Sequence, residues 1–298
     1  MAFTPTSSHE FGPTSVRWSQ DFAIRSADTS QSRLRSLGVQ VPSPNRIARA
    51  KARLISNRES GSYLPAGTGT DVARAIMEAH RTLMESFIIT SALDIPDELL
   101  RLTLKRLLEG HDHAAGDAKS TPRDMQFELL LAAIMKLGGI ADVKMGEPDI
   151  QFQMGALTLG VAVKRVRSPR KLGERVGEAL RQLEQQSLQG FIALKVDAAA
   201  EHAFLEHGEE AVHHAVTAIV ARAAARVDQC DAEGRVMGIV GLATVFAMQD
   251  FDDGYAFSIP TSVAMHWRVP RGMEDTVVSF SDRFGARLSS RLRSLLEA

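Results

Sequence analysis

Cysteine is almost absent: Cys230 is the only one in 298 residues. One thiol closes no disulfide within the chain and builds no cysteine-based zinc site, so a reducing compartment fits. Long apolar runs are missing too, and no window approaches the roughly 20 apolar residues of a membrane-spanning helix. The opening stretch MAFTPTSSHEFGPTSVRWSQ lacks the basic start and continuous apolar core of a secretory signal. The expectation is a cytoplasmic protein with no membrane partner. No Gly-Lys-Ser phosphate loop and no dinucleotide fingerprint occurs, which disfavours ATP-driven and hydride chemistry. Net charge is nearly absent as well, at −1.

That near-neutrality hides local asymmetry. Arg33, Arg35, Arg46, Arg49, Lys51, Arg53 and Arg58 fall in a stretch whose only acid is Glu59. Such a run suits a polyanionic partner, and it equally suits a solvated helical face. A hydrophobic content of 44% predicts a real core, with room for one large or two moderate domains. Residues 1–30, rich in Ser, Thr and Pro, read as an extended arm, and its isolated Phe11 and Trp18 could anchor it on the body or on a second copy. A homo-oligomer is therefore allowed.

Residues 31–115 read as a helical region. A helical pattern begins at Pro44 with Ile47, Ala50 and Leu54 on one face, and a Gly, Ser and Pro loop follows over Gly61 to Gly69. Asp71 can cap a long helix to about Ser91, and DIPDELLRLTLKRLLEG supplies another, entered through Pro96. A polar connection, HDHAAGDAKSTPRD, then leads into residues 116–298.

There the pattern becomes helix, three strands, helix, strand. The first helix carries Glu128, and after Gly138 and Gly139 the runs IADVKM, PDIQFQM and LTLGVAVKRV read as short strands joined by tight Gly turns. A helix from Pro169 to about Gln186 precedes the strand GFIALKVD, which predicts a crossover and an α/β region with a mixed sheet. Further on come a long Ala-rich helix broken at Gly208, two strands that extend the sheet (RVMGIVGLATVFAM and YAFSIPTSVAMHWRV) and the amphipathic helix SDRFGARLSSRLRSLLEA.

Glu128, Asp149, Lys164 and Gln182 thus arrive from four consecutive elements. Phosphodiester hydrolysis needs a divalent cation on hard oxygen ligands, an oriented water and a positive charge near the phosphate. Asp149 and Glu128 could ligate the metal, Lys164 could act on the water or the transition-state charge, and Gln182 could hold the phosphate. A lysine ending a central apolar strand needs a partner, and a purely structural salt bridge to an acid on the next strand meets the same need.

The order Glu128, Pro148-Asp149, a strand ending in Lys164-Arg165, Ser168, then a helix reading EALRQL resembles the PD-(D/E)XK nuclease superfamily over residues 120–197. The resemblance implies a restriction-endonuclease-like α/β (α+β) core, with a mixed central sheet flanked by helices beside the N-terminal helical region. It implies Mg²⁺ or Mn²⁺ as cofactor and nucleic acid as substrate, with DNA favoured over RNA only by the breadth of the superfamily. A role in bacterial genome defence would suit such a nuclease. One position departs: where the family carries Asp or Glu, this chain has Ala162, and a methyl group ligates no metal. Either the alanine is an engineered knockout, or the carboxylate is relocated to Glu178 or Glu128, or the site is degenerate and the chain is a catalytically silent nucleic-acid-binding or assembly protein.

Arg165, Arg167, Arg170 and Lys171 surround the motif and join Arg46, Arg49, Lys51 and Arg53 as candidate phosphate contacts. A metal site at His111, Asp112 and His113, or at His207, His213 and His214, is disfavoured by spacing.

Overall fold

The computed structural model of the chain describes residues 3–5, 9–14, 17–59, 70–93, 98–110, 121–207, 209–245, 247–251, 254–258, 261–270 and 274–296. The loop expected over Gly61 to Gly69, Pro96, Gly208 and the His111–His113 group lie outside these residues. By contacts the chain divides into one unit of residues 1–15, 135–245 and 259–294 and another of residues 16–134, 246–258 and 295–298.

The first unit is a mixed α/β structure. Its sheet comprises β1 (Phe3–Pro5), β2 (His9–Thr14), β4 (Lys144–Met145), β5 (Ile150–Met154), β6 (Leu157–Arg165), β7 (Gln189–Lys195), β8 (Val236–Thr244) and β11 (Thr261–Pro270). The order is β1-β11-β8-β7-β6-β5-β4, with β2 also on β11. β6, β7 and β8 run parallel, and β5 and β11 flank them antiparallel. Gly155, at φ +63°, sits in the two-residue turn that joins β5 to β6, a conformation that favours glycine.

Each parallel step requires a crossover. Between β6 and β7 runs α6 (Leu172–Gln185), entered through a 3₁₀ turn at Pro169–Lys171. Its buried stripe is Leu172, Val176, Ala179 and Leu183, one helical face, packed with Ala162, Ile192 and Leu194 of the sheet. Between β7 and β8 run α7 (Asp197–His207) and α8 (Glu209–Cys230), and Val212, Val216 and Val220 of α8 join the same core. The opposite sheet face carries an aromatic row, Phe152, Phe191 and Trp267, with ring centroids 6.1 and 5.4 Å apart. α9 (Glu274–Leu296) closes the unit, with Phe284 seated on Gly138.

Three expectations change. Residues 20–30, read as part of an extended arm, belong to α1 (Gln20–Ser36). The Ser19 hydroxyl caps it by accepting from the Phe22 N–H at 3.1 Å, and its buried seam of Ala23, Ser26, Ala27, Ser30 and Leu34 is too polar to read as a core face. The seam is tolerated because Ser26 and Ser30 donate their hydroxyls back to the carbonyls of Ala23 and Ser26. The two late apolar runs do not extend the sheet over their whole length: β8 and β11 do, but β9 (Ala247–Phe251) and β10 (Gly254–Ser258) pair with β3 (Arg17–Trp18) in a separate sheet. The terminal helix also starts earlier than expected, at Glu274.

The second unit packs α1, α2 (Arg46–Glu59), α3 (Thr70–Ala92), α4 (Glu98–Lys105) and most of α5 (Thr121–Leu137). α3 is buried on every side over residues 78–90, charged residues included. Glu78 accepts from Arg81 at 2.7 Å and from Arg123 of α5 at 2.9 Å. Arg46 donates to Gln126 at 2.5 Å and to Thr82 at 3.1 Å, and Gln126 in turn donates to Glu85. A buried charge is tolerated only when paired in this way.

His80 is fully buried in the same helix, and burial pushes its imidazole down to about 3. Its folded value therefore lies below the ordinary 6.5, so the unfolded chain takes up a proton that the folded chain refuses. Stability from this group is intact above about pH 6.5 and falls below it, by roughly 2 kcal/mol at about pH 5. Urea titrations of wild type and His80→Gln across that range check the slope. An equal slope in both would remove His80 as its source.

Candidate functional site

The β5–β6 hairpin places Asp149 by register. Ile150 pairs with Val161, so Asp149, one residue earlier, falls on the sheet face of Ala162 and Lys164, the face that α6 covers. Gly160 makes room for this approach. A Cβ there would meet Pro148 Cγ at 2.6 Å and Leu183 Cδ2 at 3.0 Å.

Past Ile150 the β5–β6 ladder stops, and the Asp149 carboxylate continues it. Its Oδ2 accepts the Val163 N–H at 2.6 Å and lies 3.4 Å from Lys164 Nζ. Lys164 Nζ also donates to the Val163 carbonyl at 3.0 Å and to Gln182 Oε1. Gln182 Nε2 reaches Asp149 Oδ1 at 3.4 Å. Asp149, Lys164 and Gln182 are thus brought together from β5, β6 and α6. The side chains of Lys164 and Asp149 keep only 13% and 14% of their surface exposed, so the pair is shielded. The Val163 backbone, which both side chains use, carries no signal in the sequence beyond the position of Asp149 one residue ahead of a strand.

The other candidates are placed differently. Ala162 is 0% exposed within the apolar cluster beneath α6. Glu178 is taken by Arg175 at 2.6 Å. Glu128 lies on α5, within the helical unit. Among the described residues no group of three or more His, Cys, Asp or Glu side chains gathers as a metal site. His213 and His214 instead contact Thr217 and the Glu210 carbonyl.

Arg167, Arg170 and Lys171 are exposed at the turn into α6, Lys171 within 3.6 Å of Glu174, and Arg165 is half-buried at the end of β6. Of the α2 candidates, Arg46 needs correction: it is 1% exposed and tied to Gln126 and Thr82, so it faces the helical core and no external phosphate. Its position next to Ile47 on the buried stripe of α2 explains why. Arg49 donates to the Gly110 carbonyl at 2.9 Å and Lys51 bridges to Asp28 of α1 at 2.6 Å, while Arg53 is half-buried.

Among the described residues of the α/β unit, the Asp149–Lys164–Gln182 cluster does not fit a divalent cation. Mg²⁺ and Mn²⁺ favour carboxylate oxygens, and the cluster offers one carboxylate, already matched by an ammonium. A divalent ion about 4 Å from that ammonium would be repelled by roughly 8 kcal/mol at an effective dielectric of about 20.

Comparison with known proteins finds no matching family model, no matching curated protein and no matching solved structure. The site's chemistry therefore rests on its own geometry. No helix among the described residues is long and apolar enough to cross a membrane.

Proposed function

We propose that this protein binds nucleic acid through an α/β unit of restriction-endonuclease-like architecture, and that this unit does not itself cleave the bound strand. The observation that carries the reading is the charge at the exposed β6–α6 turn. Residues 165–185 hold six cations against three acids, in a chain whose formal net charge is −1. Arg167, Arg170 and Lys171 are exposed at the turn and Arg181 further along α6, beside a cluster that has the order of a nuclease motif but a single carboxylate. Backbone phosphates are the polyanion such a surface suits, and binding that releases counterions weakens steeply with salt.

Fluorescence anisotropy with labelled duplex DNA, single-stranded DNA and RNA tests this. Binding is expected in EDTA, with log K falling in proportion to log salt and an affinity about tenfold or more lower in Arg170→Glu/Arg181→Glu. Absence of binding to all three at low salt would sink the reading. Metal-dependent hydrolysis is the second reading, favoured by the meeting of Asp149, Lys164 and Gln182 in the motif order. Plasmid cleavage by wild type in Mg²⁺ or Mn²⁺, lost in EDTA and in Lys164→Ala, would replace the first reading with it.

A further inference from the structure

Three oxygen atoms from different parts of the α/β unit converge on one point, and that point is Lys164 Nζ. Asp149 Oδ2 lies at 3.4 Å and the Val163 carbonyl at 3.0 Å, and Gln182 Oε1 completes the set from α6. A carboxylate, a peptide carbonyl and an amide oxygen are the hard donors that magnesium and calcium sites use. We propose that Lys164 takes the place of a metal ion here: a tethered ammonium that cross-links β5, β6 and α6 and holds the basic turn of α6 for its ligand without any divalent cation.

Charge and valence both support the assignment. One carboxylate and one ammonium cancel, so the shielded cluster is neutral as it stands. An ammonium has three donors, and all three are spent on the three oxygens. No donor remains for a phosphate, which makes Lys164 a positioning residue and leaves ligand contact to the exposed arginines of the turn. The position where a second carboxylate would complete a metal site is Ala162, buried among Val176, Ala179 and Leu183. Glu178, one turn before Gln182, is held by Arg175. A lysine in this place also differs from a metal in being fixed by the covalent chain, so no chelator removes it.

The consequence for the site is specific: removing the ammonium should uncover a cation site that the wild-type chain does not offer. In Lys164→Ala, and in Lys164→Met, which keeps the stem, millimolar Mn²⁺ should raise the Tm and show saturable binding by electron paramagnetic resonance. Both effects should vanish when Asp149→Asn is added, and wild type should show neither. A salt bridge with no cation-site character would give no Mn²⁺ response in any variant, and that result overturns the proposal. Saturable Mn²⁺ binding by wild type that is lost in Asp149→Asn overturns it too, and because this arm needs no Lys164 variant it decides even if both variants fail to fold.

The contact surface of the inference rests on the nucleic-acid reading, and the two fail separately. Wild type that binds no nucleic acid, with the Mn²⁺ pattern as expected, removes the ligand and keeps the tethered cation. Wild type that binds nucleic acid only when Mg²⁺ is present removes the tethered cation and keeps the ligand.

Discussion

Glu78→Gln is expected to lower the unfolding free energy by about 3–5 kcal/mol, because it strands buried guanidiniums without their counter-charge. Glu78 joins Arg81 and Arg123 at 2.7 and 2.9 Å, and all three side chains are under a tenth exposed. Glutamine keeps the shape and removes the charge, so the loss reports electrostatics and not a cavity. The pH dependence has a definite sign. Burial alone would push the Glu78 carboxyl up, but Arg81, Arg123 with its hydrogen bond, and Arg46 together hold it below its ordinary 4.5. A carboxyl depressed in the folded state stabilises above its unfolded value and loses that contribution as pH falls through the folded value. Wild type should therefore show an acid loss below about pH 4.5 that Glu78→Gln lacks. Urea denaturation at neutral and acid pH measures both, and a variant within about 1 kcal/mol of wild type at neutral pH would overturn the account.

Asp149→Ala is the second large effect, with a loss of about 3 kcal/mol. It removes the partner of a shielded ammonium and the acceptor of the Val163 N–H in one step. Adding Lys164→Met should recover about 1–2 kcal/mol, because an apolar stem needs no counter-charge. Thermal or urea unfolding of the wild type, both single variants and the double closes the cycle. A double variant no more stable than Asp149→Ala would show that the ammonium was never held by the carboxylate. This measurement concerns folding alone, so its outcome is independent of any ligand.

Much of the α/β unit was legible because its signals are local. The hairpin turn at Gly155, the strands on either side and the apolar stripe of α6 follow from periods of two and 3.6 and from glycine's freedom at positive φ. The helix α1 was not legible, since its core face is made of alanine and serine, residues that read as a polar arm until a neighbouring helix covers them. The same blindness placed Arg46 on a phosphate-binding surface. A basic residue on an amphipathic helix reads as solvent-facing, and only the presence of Gln126 and Thr82 around its guanidinium shows otherwise.

The order of residues by itself determined the mixed α/β character, the apolar strand with Lys164 near its end and the aspartate one residue ahead of its partner strand. These follow from spacing along the chain, which backbone geometry converts into faces and ends. Tertiary structure alone decided what surrounds each charge. It buried the ion network of Glu78, Arg81 and Arg123 inside the helical unit, and it set the Val163 carbonyl and Gln182 around the Lys164 ammonium. A lysine beside an aspartate reads alike in sequence whether it serves a metal or replaces one. The difference lies in which oxygens its ammonium meets, and those of Asp149 and Gln182 come from parts of the chain that only packing brings together.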